Sequence, residues 1–166
     1  MEGEVIRYKY IFDEEITVES VNRLIEVLYS YQSVDLFFST QGGLVFAIDV
    51  LIEAINEHPD ITVTLCSSVC SAGTFLLTDL ECPVYVHDNL DFIMIHAADR
   101  MVESQVRKTD LDYSILKEQL ESTNKLRAEK YKKLGVPKKY LDRYLKGEDV
   151  YLYKEDISKL KINTRK

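Results

Sequence analysis

The alternation of apolar strand-like runs with amphipathic helical segments constrains the fold of this chain more than any other feature. Between residues 5 and 96 the order is strand, helix, strand, helix, strand, helix, strand, strand. The predicted strands are residues 5–12, 34–38, 61–65, 83–87 and 92–95; the predicted helices run from Thr17 to about residue 31, from 44 to about 57, and onward from residue 71. This order is typical of a largely parallel sheet flanked by helices. With 166 residues, we predict a single α/β domain over residues 1–166.

A long helix is predicted after this alternating region, over residues 108–134. One stripe repeats at three- and four-residue steps, and its members are Tyr113, Leu116, Leu120, Thr123, Arg127 and Tyr131. Gly135-Val136-Pro137 ends the helix. Because the stripe is partly polar and the helix is long for such a domain, we expect it to project and to pack on the domain or on another subunit. Short helices are predicted near 138–145 and 154–160.

Composition and charge exclude several classes of function. The formal net charge of −7 argues against nucleic acid and anionic membranes as partners. No apolar run has the length of a membrane span and residues 1–4 do not resemble a signal peptide, so we expect a cytoplasmic protein. Cys66, Cys70 and Cys82 lack the second pair or the nearby histidine of a zinc site. We therefore expect buried free thiols and neither a metal nor an organic cofactor.

The segment from Leu65 to Leu77 joins a predicted strand to a predicted helix through small residues, with Ser71 at the bend. A helix N-terminus presents free N–H groups and the positive end of the helix dipole, which suit a developing oxyanion. Ser71 is therefore a candidate nucleophile if a base lies nearby. A plain helix cap is the competing interpretation. Val69 stands where the Gly-x-Ser-x-Gly elbow of α/β-hydrolases needs glycine, which disfavours that class.

Three special segments follow the ends of predicted strands. Gly42-Gly43 follows the second strand, Ser71 the third, and His96 the strand at 92–95. Sites in open parallel sheets form at the carboxyl ends of the strands. We therefore expect these segments to meet at one edge of the sheet, which favours a catalytic serine.

Four segments resemble the Clp protease proteolytic subunit (ClpP) family, within the ClpP/crotonase superfamily, in order and at roughly its spacing. Thr40-Gln41-Gly42-Gly43 resembles the Ser-Pro-Gly-Gly loop, and Cys70–Leu77 resembles the nucleophile segment Ala-Ser-Met-Gly-Ala-Phe-Leu-Leu. Ile93–His96 matches Ile-Met-Ile-His, and Glu148–Asp156 resembles the segment that holds the third triad member. Departures include Gln41 in place of proline. The resemblance implies repeated strand–helix units of the ClpP/crotonase type, with residues 108–134 as a projecting handle helix.

The resemblance also implies roles for individual residues. Ser71 would be the nucleophile, His96 the general base and Asp149 the carboxylate that orients it, with Asp156 and Glu148 as competitors for the last role. The oxyanion hole would use the backbone N–H groups of Gly42 or Gly43 and of Ala72. The chemistry agrees with these roles, because serine is a poor nucleophile until a positioned imidazole takes its proton.

The function implied is a serine endopeptidase that cleaves unfolded proteins or peptides inside an oligomeric chamber. The implied partners are polypeptide substrates, further copies of the chain in a heptameric ring or double ring, and an AAA+ unfoldase ATPase as a candidate. Few residues precede the first predicted strand, whereas the family uses an N-terminal segment as an axial gate. Two alternatives stay open: a catalytically weak or inactive assembly subunit, and a crotonase-like acyl-CoA enzyme that uses the oxyanion N–H groups without a serine nucleophile.

Overall fold

The computed structural model describes residues 6–98 and 111–162, which form a six-stranded, mostly parallel sheet with helices. The strands are β1 Tyr8–Asp13, β2 Val34–Thr40, β3 Ile61–Cys70, β4 Val84–Val86, β5 Phe92–Ile95 and β6 Val150–Tyr153. Their order is β1-β2-β3-β5-β6, and β4 also pairs with β3. All neighbours are parallel except β5 and β6. The predicted α/β class with a largely parallel sheet is confirmed.

The helices follow the predicted pattern closely. They are α1 Val18–Ser30, α2 Val45–Glu57, a 3₁₀ helix Ser71–Phe75 that continues as α3 Leu76–Asp79, α4 Leu111–Leu134, α5 Lys138–Leu145 and α6 Lys154–Ile157. Thr17, where the sequence predicted the first helix to begin, is the N-cap of α1: the Ser20 N–H donates to Thr17 Oγ1 at 3.1 Å and the Thr17 N–H donates to Ser20 Oγ at 2.9 Å. This reciprocal pair satisfies two otherwise orphaned donors. Residues 108–110 of the predicted long helix lie outside the described ranges.

Strand β3 is longer than the sequence pattern predicted. The prediction ended it at Leu65, but it continues to Cys70 and changes neighbour on the way. Its first half pairs with β4 at Val63–Leu65 and its second half with β5 at Ser68–Cys70. Ser67 takes a left-handed φ of 51° at the change, beside an irregularity in the pairing with β2. The small polar residues that suggested a bend instead let one strand kink and serve two partners.

Strand β6 was not predicted as a strand, and α6 ends at Ile157 rather than near residue 160. The segment runs antiparallel to β5, with Ile95 opposite Val150 and Ile93 opposite Leu152. Val150 and Leu152 are buried while their neighbours are exposed. Four residues of alternation are too short to identify a strand from sequence, so pairing with β5 decides the conformation.

Helix α4 packs on the domain through its C-terminal part. Ala128, Tyr131 and Leu134 are buried, whereas the described side chains before residue 120 are exposed. Asp79 of α3 accepts from Arg127 at 2.8 Å and from Lys130 at 2.7 Å. These contacts fix the base of α4 against the segment that follows Ser71. Among residues 6–98 and 111–162, no helix combines the length and apolar character needed to cross a bilayer.

Replacement of Asp79 with asparagine is expected to lower the free energy of unfolding by about 2 kcal/mol at pH 7. Burial raises the pKa of Asp79, but hydrogen bonds from Lys130 and Arg127 outweigh burial and hold that pKa below its ordinary value of 3.8. A carboxyl with a lowered pKa in the folded state stabilises above its unfolded pKa, and the contribution disappears as the pH falls through the folded pKa. The difference between the variant and the wild type should therefore shrink in acid.

Urea unfolding at pH 7 and near pH 3 measures this difference. Glu129→Gln is the matched control, because Glu129 also lies on α4 and pairs with Lys132 at 3.7 Å, but both side chains are mostly exposed. The control should change stability by less than about 0.5 kcal/mol at either pH. An Asp79→Asn effect of equal size at both pH values would contradict the role given to the charge.

Candidate active site

Ser71 lies where β3 ends and the 3₁₀ helix begins, in a backbone conformation unusual for serine. Its φ is 53°, in the left-handed region that non-glycine residues rarely occupy. Such strain persists only where the surroundings fix it, and it is common at functional sites. The bend sets Ser71 beyond the carboxyl end of a buried strand, the place predicted for the nucleophile.

His96 contacts Ser71 directly. Ser71 Oγ and His96 Nε2 are 2.6 Å apart, a short hydrogen bond. The strands explain the contact, because β3 and β5 are parallel neighbours with Cys70 opposite Met94. Ser71 and His96 therefore leave the same edge of the sheet one after the other. A serine hydroxyl at this distance from an imidazole can pass its proton to the ring as it attacks.

Asp149 faces the other nitrogen of the His96 ring. Because Ile95 lies opposite Val150 in the antiparallel β5–β6 pair, His96 and Asp149 form the next opposed pair. The distance from His96 Nδ1 to Asp149 Oδ1 is 3.7 Å, too long for a direct hydrogen bond. The two side chains are 32% and 41% exposed. Asp149 thus faces Nδ1 of His96 without a direct hydrogen bond.

The two competing carboxylates have other partners. Arg143 Nε donates to Glu148 Oε2 at 2.7 Å. Asp156 caps α6, accepting from the Tyr153 N–H at 3.4 Å, and it accepts from Tyr140 Oη at 3.3 Å. Of the three carboxylates that the sequence left open, only Asp149 is paired with His96 in the structure.

The glycine loop after β2 lies against Ser71. A Cβ on Gly42 would stand 2.6 Å from Ser71 Cβ, so only glycine lets the loop approach this closely. Gly43 is fixed from the other side, where Ile16 donates to the Gly42 carbonyl at 2.8 Å and accepts from the Leu44 N–H at 2.8 Å. The structure therefore brings the glycine loop, Ser71 and His96 together at one edge of the sheet, as predicted.

The N–H groups proposed for the oxyanion hole differ in availability. The N–H of Gly42 donates to Thr40 Oγ1 at 3.0 Å and is occupied. The N–H of Gly43 has no acceptor among the residues that the structure describes, and neither has that of Ala72, which lies in the first turn of its helix. Of the two glycines that the sequence left open, Gly43 is therefore the available donor, together with Ala72.

Gln41 connects the glycine loop to β3, a role that the sequence did not reveal. Its Nε2 donates to Ser68 Oγ at 2.9 Å, and its Oε1 accepts from Cys70 Sγ at 3.9 Å. Burial raises the pKa of the Cys70 thiol above its ordinary value, so this thiol stays protonated and does not compete as a nucleophile. Gln41 thus ties the residue before Gly42 to β3 through two side-chain hydrogen bonds.

The remaining histidines and cysteines form no second centre. His58 Nε2 lies 2.8 Å from the Tyr31 carbonyl, and His87 Nδ1 accepts from the Asn89 N–H at 3.2 Å. None of the three cysteines forms a disulfide; Cys70 is buried as predicted, whereas Cys66 and Cys82 are partly exposed. Within the described part of the chain, no three histidine, cysteine, aspartate or glutamate side chains are grouped to hold a metal ion.

Comparison with known proteins adds no assignment. No protein-family model matches the chain, and no curated protein matches it significantly.

Proposed function

We propose that this protein is a serine-type endopeptidase that hydrolyses unfolded proteins or peptides through an acyl-enzyme on Ser71. The observation that carries the proposal is the 2.6 Å contact between Ser71 Oγ and His96 Nε2, at a serine with strained backbone. A helix cap would need neither the histidine nor the close glycine loop. The resemblance of four segments to the ClpP family supports the same chemistry.

Each residue then has a defined task. His96 Nε2 takes the proton as Ser71 Oγ attacks the substrate carbonyl, and it returns that proton to the leaving amine when the C–N bond breaks. A water molecule then attacks the ester and releases Ser71 by the reverse transfer. The N–H groups of Gly43 and Ala72 stabilise the negative oxygen in both steps. Asp149 keeps the Nδ1 proton directed towards itself and stabilises the imidazolium.

A homo-oligomeric ring is part of the proposal, and it comes from the resemblance. The exposed N-terminal part of α4 is the surface on which such rings would join, and an AAA+ unfoldase would deliver substrates to the chamber. Sedimentation velocity on the purified protein tests the assembly: a ring predicts one species several times the 19.2 kDa mass of the chain.

The direct test of the chemistry is covalent labelling with a fluorophosphonate, followed by intact-mass measurement and peptide mapping. An activated serine forms one adduct, located on the peptide that contains Ser71. An absence of adduct on assembled protein would contradict the proposal.

The distance between His96 and Asp149 supports one alternative, a catalytically weak or inactive assembly subunit. At 3.7 Å the third member is not in hydrogen-bond contact, as expected for an assembly subunit whose site is weak or inactive. Catalytic hydrogen bonds in unliganded enzymes are often longer than in their complexes, so the endopeptidase remains the better proposal. Assembly without Ser71 labelling, in both the presence and the absence of a peptide substrate, would favour the alternative.

Replacement of Asp149 with asparagine is expected to lower kcat by about 100-fold or more, because the amide no longer holds the reactive tautomer of His96. Steady-state hydrolysis of a fluorogenic peptide measures the effect. Glu148→Gln and Asp156→Asn are matched controls, since each removes one negative charge from the same segment, and each should keep kcat within about threefold. A larger loss in either control than in Asp149→Asn would move the orienting role to that carboxylate.

A further inference from the structure

Thr74 links the nucleophile to the base of α4 through two short hydrogen bonds. Its side chain is fully buried one 3₁₀ turn after Ser71, and its Oγ1 donates to the Ser71 carbonyl at 2.6 Å. The same Oγ1 lies 2.6 Å from the Tyr131 hydroxyl, which comes from α4. A carbonyl oxygen only accepts, so the single hydroxyl proton of Thr74 is committed to Ser71 and Tyr131 is the donor to Thr74. The chain of bonds therefore has one direction, from Tyr131 through Thr74 to Ser71.

The carbonyl at the end of this chain belongs to the same peptide unit as the Ala72 N–H. A peptide unit is planar, and a trans unit points its C=O and its N–H in opposite directions. No peptide bond in the described ranges is cis. Holding the Ser71 carbonyl therefore also holds the direction of the Ala72 N–H. Holding this peptide unit matters because Ser71 has a left-handed φ of 53°. A strained conformation of this kind persists only where surrounding contacts fix it.

We propose that Thr74 and Tyr131 are positioning residues for the oxyanion hole, which fix the Ser71–Ala72 peptide so that the Ala72 N–H faces the substrate carbonyl oxygen. The inference rests on the proposed function, because it concerns acyl transfer at Ser71. Neither side chain touches the substrate; both act through one peptide unit.

The environment of Tyr131 suits a fixed donor. The ring is 1% exposed and meets the edge of the Tyr144 ring at a centroid distance of 5.5 Å. Burial raises the pKa of Tyr131 well above its ordinary value, more than the hydrogen bond to Thr74 lowers it, so the hydroxyl keeps its proton throughout the working pH range. The direction of the hydrogen-bond chain is therefore independent of pH.

Thr74→Val is the first variant, because valine keeps the shape and removes the hydroxyl. We expect kcat for peptide hydrolysis to fall about 10- to 100-fold with KM changed less than about twofold, since a misdirected donor weakens the transition state rather than substrate binding. Thr74→Ser, which keeps the hydroxyl, should restore kcat to within about threefold of the wild type. Tyr131→Phe should have a smaller effect, about threefold, because Thr74 still holds the carbonyl.

Thr78→Val is the matched control. Thr78 Oγ1 donates to the Phe75 carbonyl at 3.2 Å, the same spacing in the chain as between Thr74 and Ser71. The Phe75 carbonyl belongs to a peptide unit that is not part of the oxyanion hole. Loss of this hydroxyl should therefore leave kcat within about twofold of the wild type. An equal loss of kcat in both valine variants would overturn the inference.

The double variant Thr74→Val/Tyr131→Phe separates catalysis from stability. The single Thr74→Val leaves the Tyr131 hydroxyl buried without its partner, which should lower Tm by about 3–8 °C. Removing that hydroxyl as well should recover most of the Tm. The kcat should stay as low as in Thr74→Val, because the Ser71 carbonyl then keeps the backbone bond of the 3₁₀ helix but still lacks the side-chain donor that Thr74 supplies. Recovery of kcat together with Tm would show a merely structural role. If Thr74→Val does not fold, the kcat of the double variant is compared with that of the wild type instead, and the same loss of kcat is expected.

Labelling rates distinguish failure of this inference from failure of the proposed function. The fluorophosphonate oxygen occupies the oxyanion hole, so Thr74→Val should label at least about fivefold more slowly than the wild type. Wild-type protein that forms no adduct overturns both the function and the inference. Wild-type protein that labels on Ser71, with Thr74→Val labelling at the same rate, overturns only the inference.

Discussion

Replacement of Ser71 with alanine is expected to lower kcat for peptide hydrolysis by about 1,000-fold or more, with KM nearly unchanged. The loss is large because the hydroxyl, which lies 2.6 Å from His96 Nε2, is the atom that forms the acyl-enzyme in the proposed mechanism. Only water would remain as a nucleophile, assisted by the N–H groups of Gly43 and Ala72. A fluorogenic peptide assay measures hydrolysis, and gel filtration of the same sample checks that the assembly is intact.

Ser30→Ala is the control for the Ser71 experiment. Ser30 is exposed at the end of α1, and among the described residues its side chain hydrogen-bonds only within its own helix, to the Glu26 carbonyl at 2.7 Å. The control should keep the wild-type rate. Hydrolysis by Ser71→Ala above about one tenth of the wild-type rate would contradict the role of Ser71 as the nucleophile. The neighbouring thiol of Cys70 would not explain such remaining activity, because burial raises the pKa of that thiol and its Sγ contacts Gln41 Oε1.

Replacement of Gly43 with alanine is expected to lower the free energy of unfolding by about 3 kcal/mol or more, enough to prevent accumulation of folded protein. A Cβ there would lie 2.1 Å from the Ile16 carbonyl oxygen and 2.9 Å from the Ile16 nitrogen. The overlap is with backbone that is itself hydrogen-bonded on both sides, so it cannot be relieved by a side-chain rotation. Soluble yield, circular dichroism and urea unfolding measure the effect.

Alanine variants of Gly42 and Gly135 are compared with Gly43→Ala, because an added Cβ would meet different neighbours at each position. Gly42→Ala would place its Cβ 2.6 Å from Ser71 Cβ and 3.1 Å from Ser71 Oγ, so we expect loss of Ser71 labelling in protein that still folds. Gly135→Ala is the control for φ alone, because its φ is 102° but its Cβ would meet nothing nearer than 3.4 Å. It should cost about 1–2 kcal/mol and leave labelling intact. Equal stability of the Gly43 and Gly135 variants would contradict the close contact with Ile16.

The sequence by itself determined the elements whose signals are local. Thr17 is a residue type that caps helices and stands directly before the apolar spacing of α1, and the apolar spacing of α1 and α2 repeats within two turns. Both signals can therefore be recognised without any tertiary contact. The placement of Ser71 and His96 after the ends of two apolar strands is equally local. Because parallel strands end at a common edge, that order was enough to predict that these two residues meet.

Tertiary structure alone decided the features that depend on register between distant segments. Pairing with β5 made a strand of β6, and its register set Asp149 rather than Glu148 or Asp156 opposite His96. The hydrogen bond between Tyr131 and Thr74 joins residues 57 positions apart. No local pattern encodes such contacts, because they arise from the packing of α4 and the alignment of strands, which only the folded chain sets.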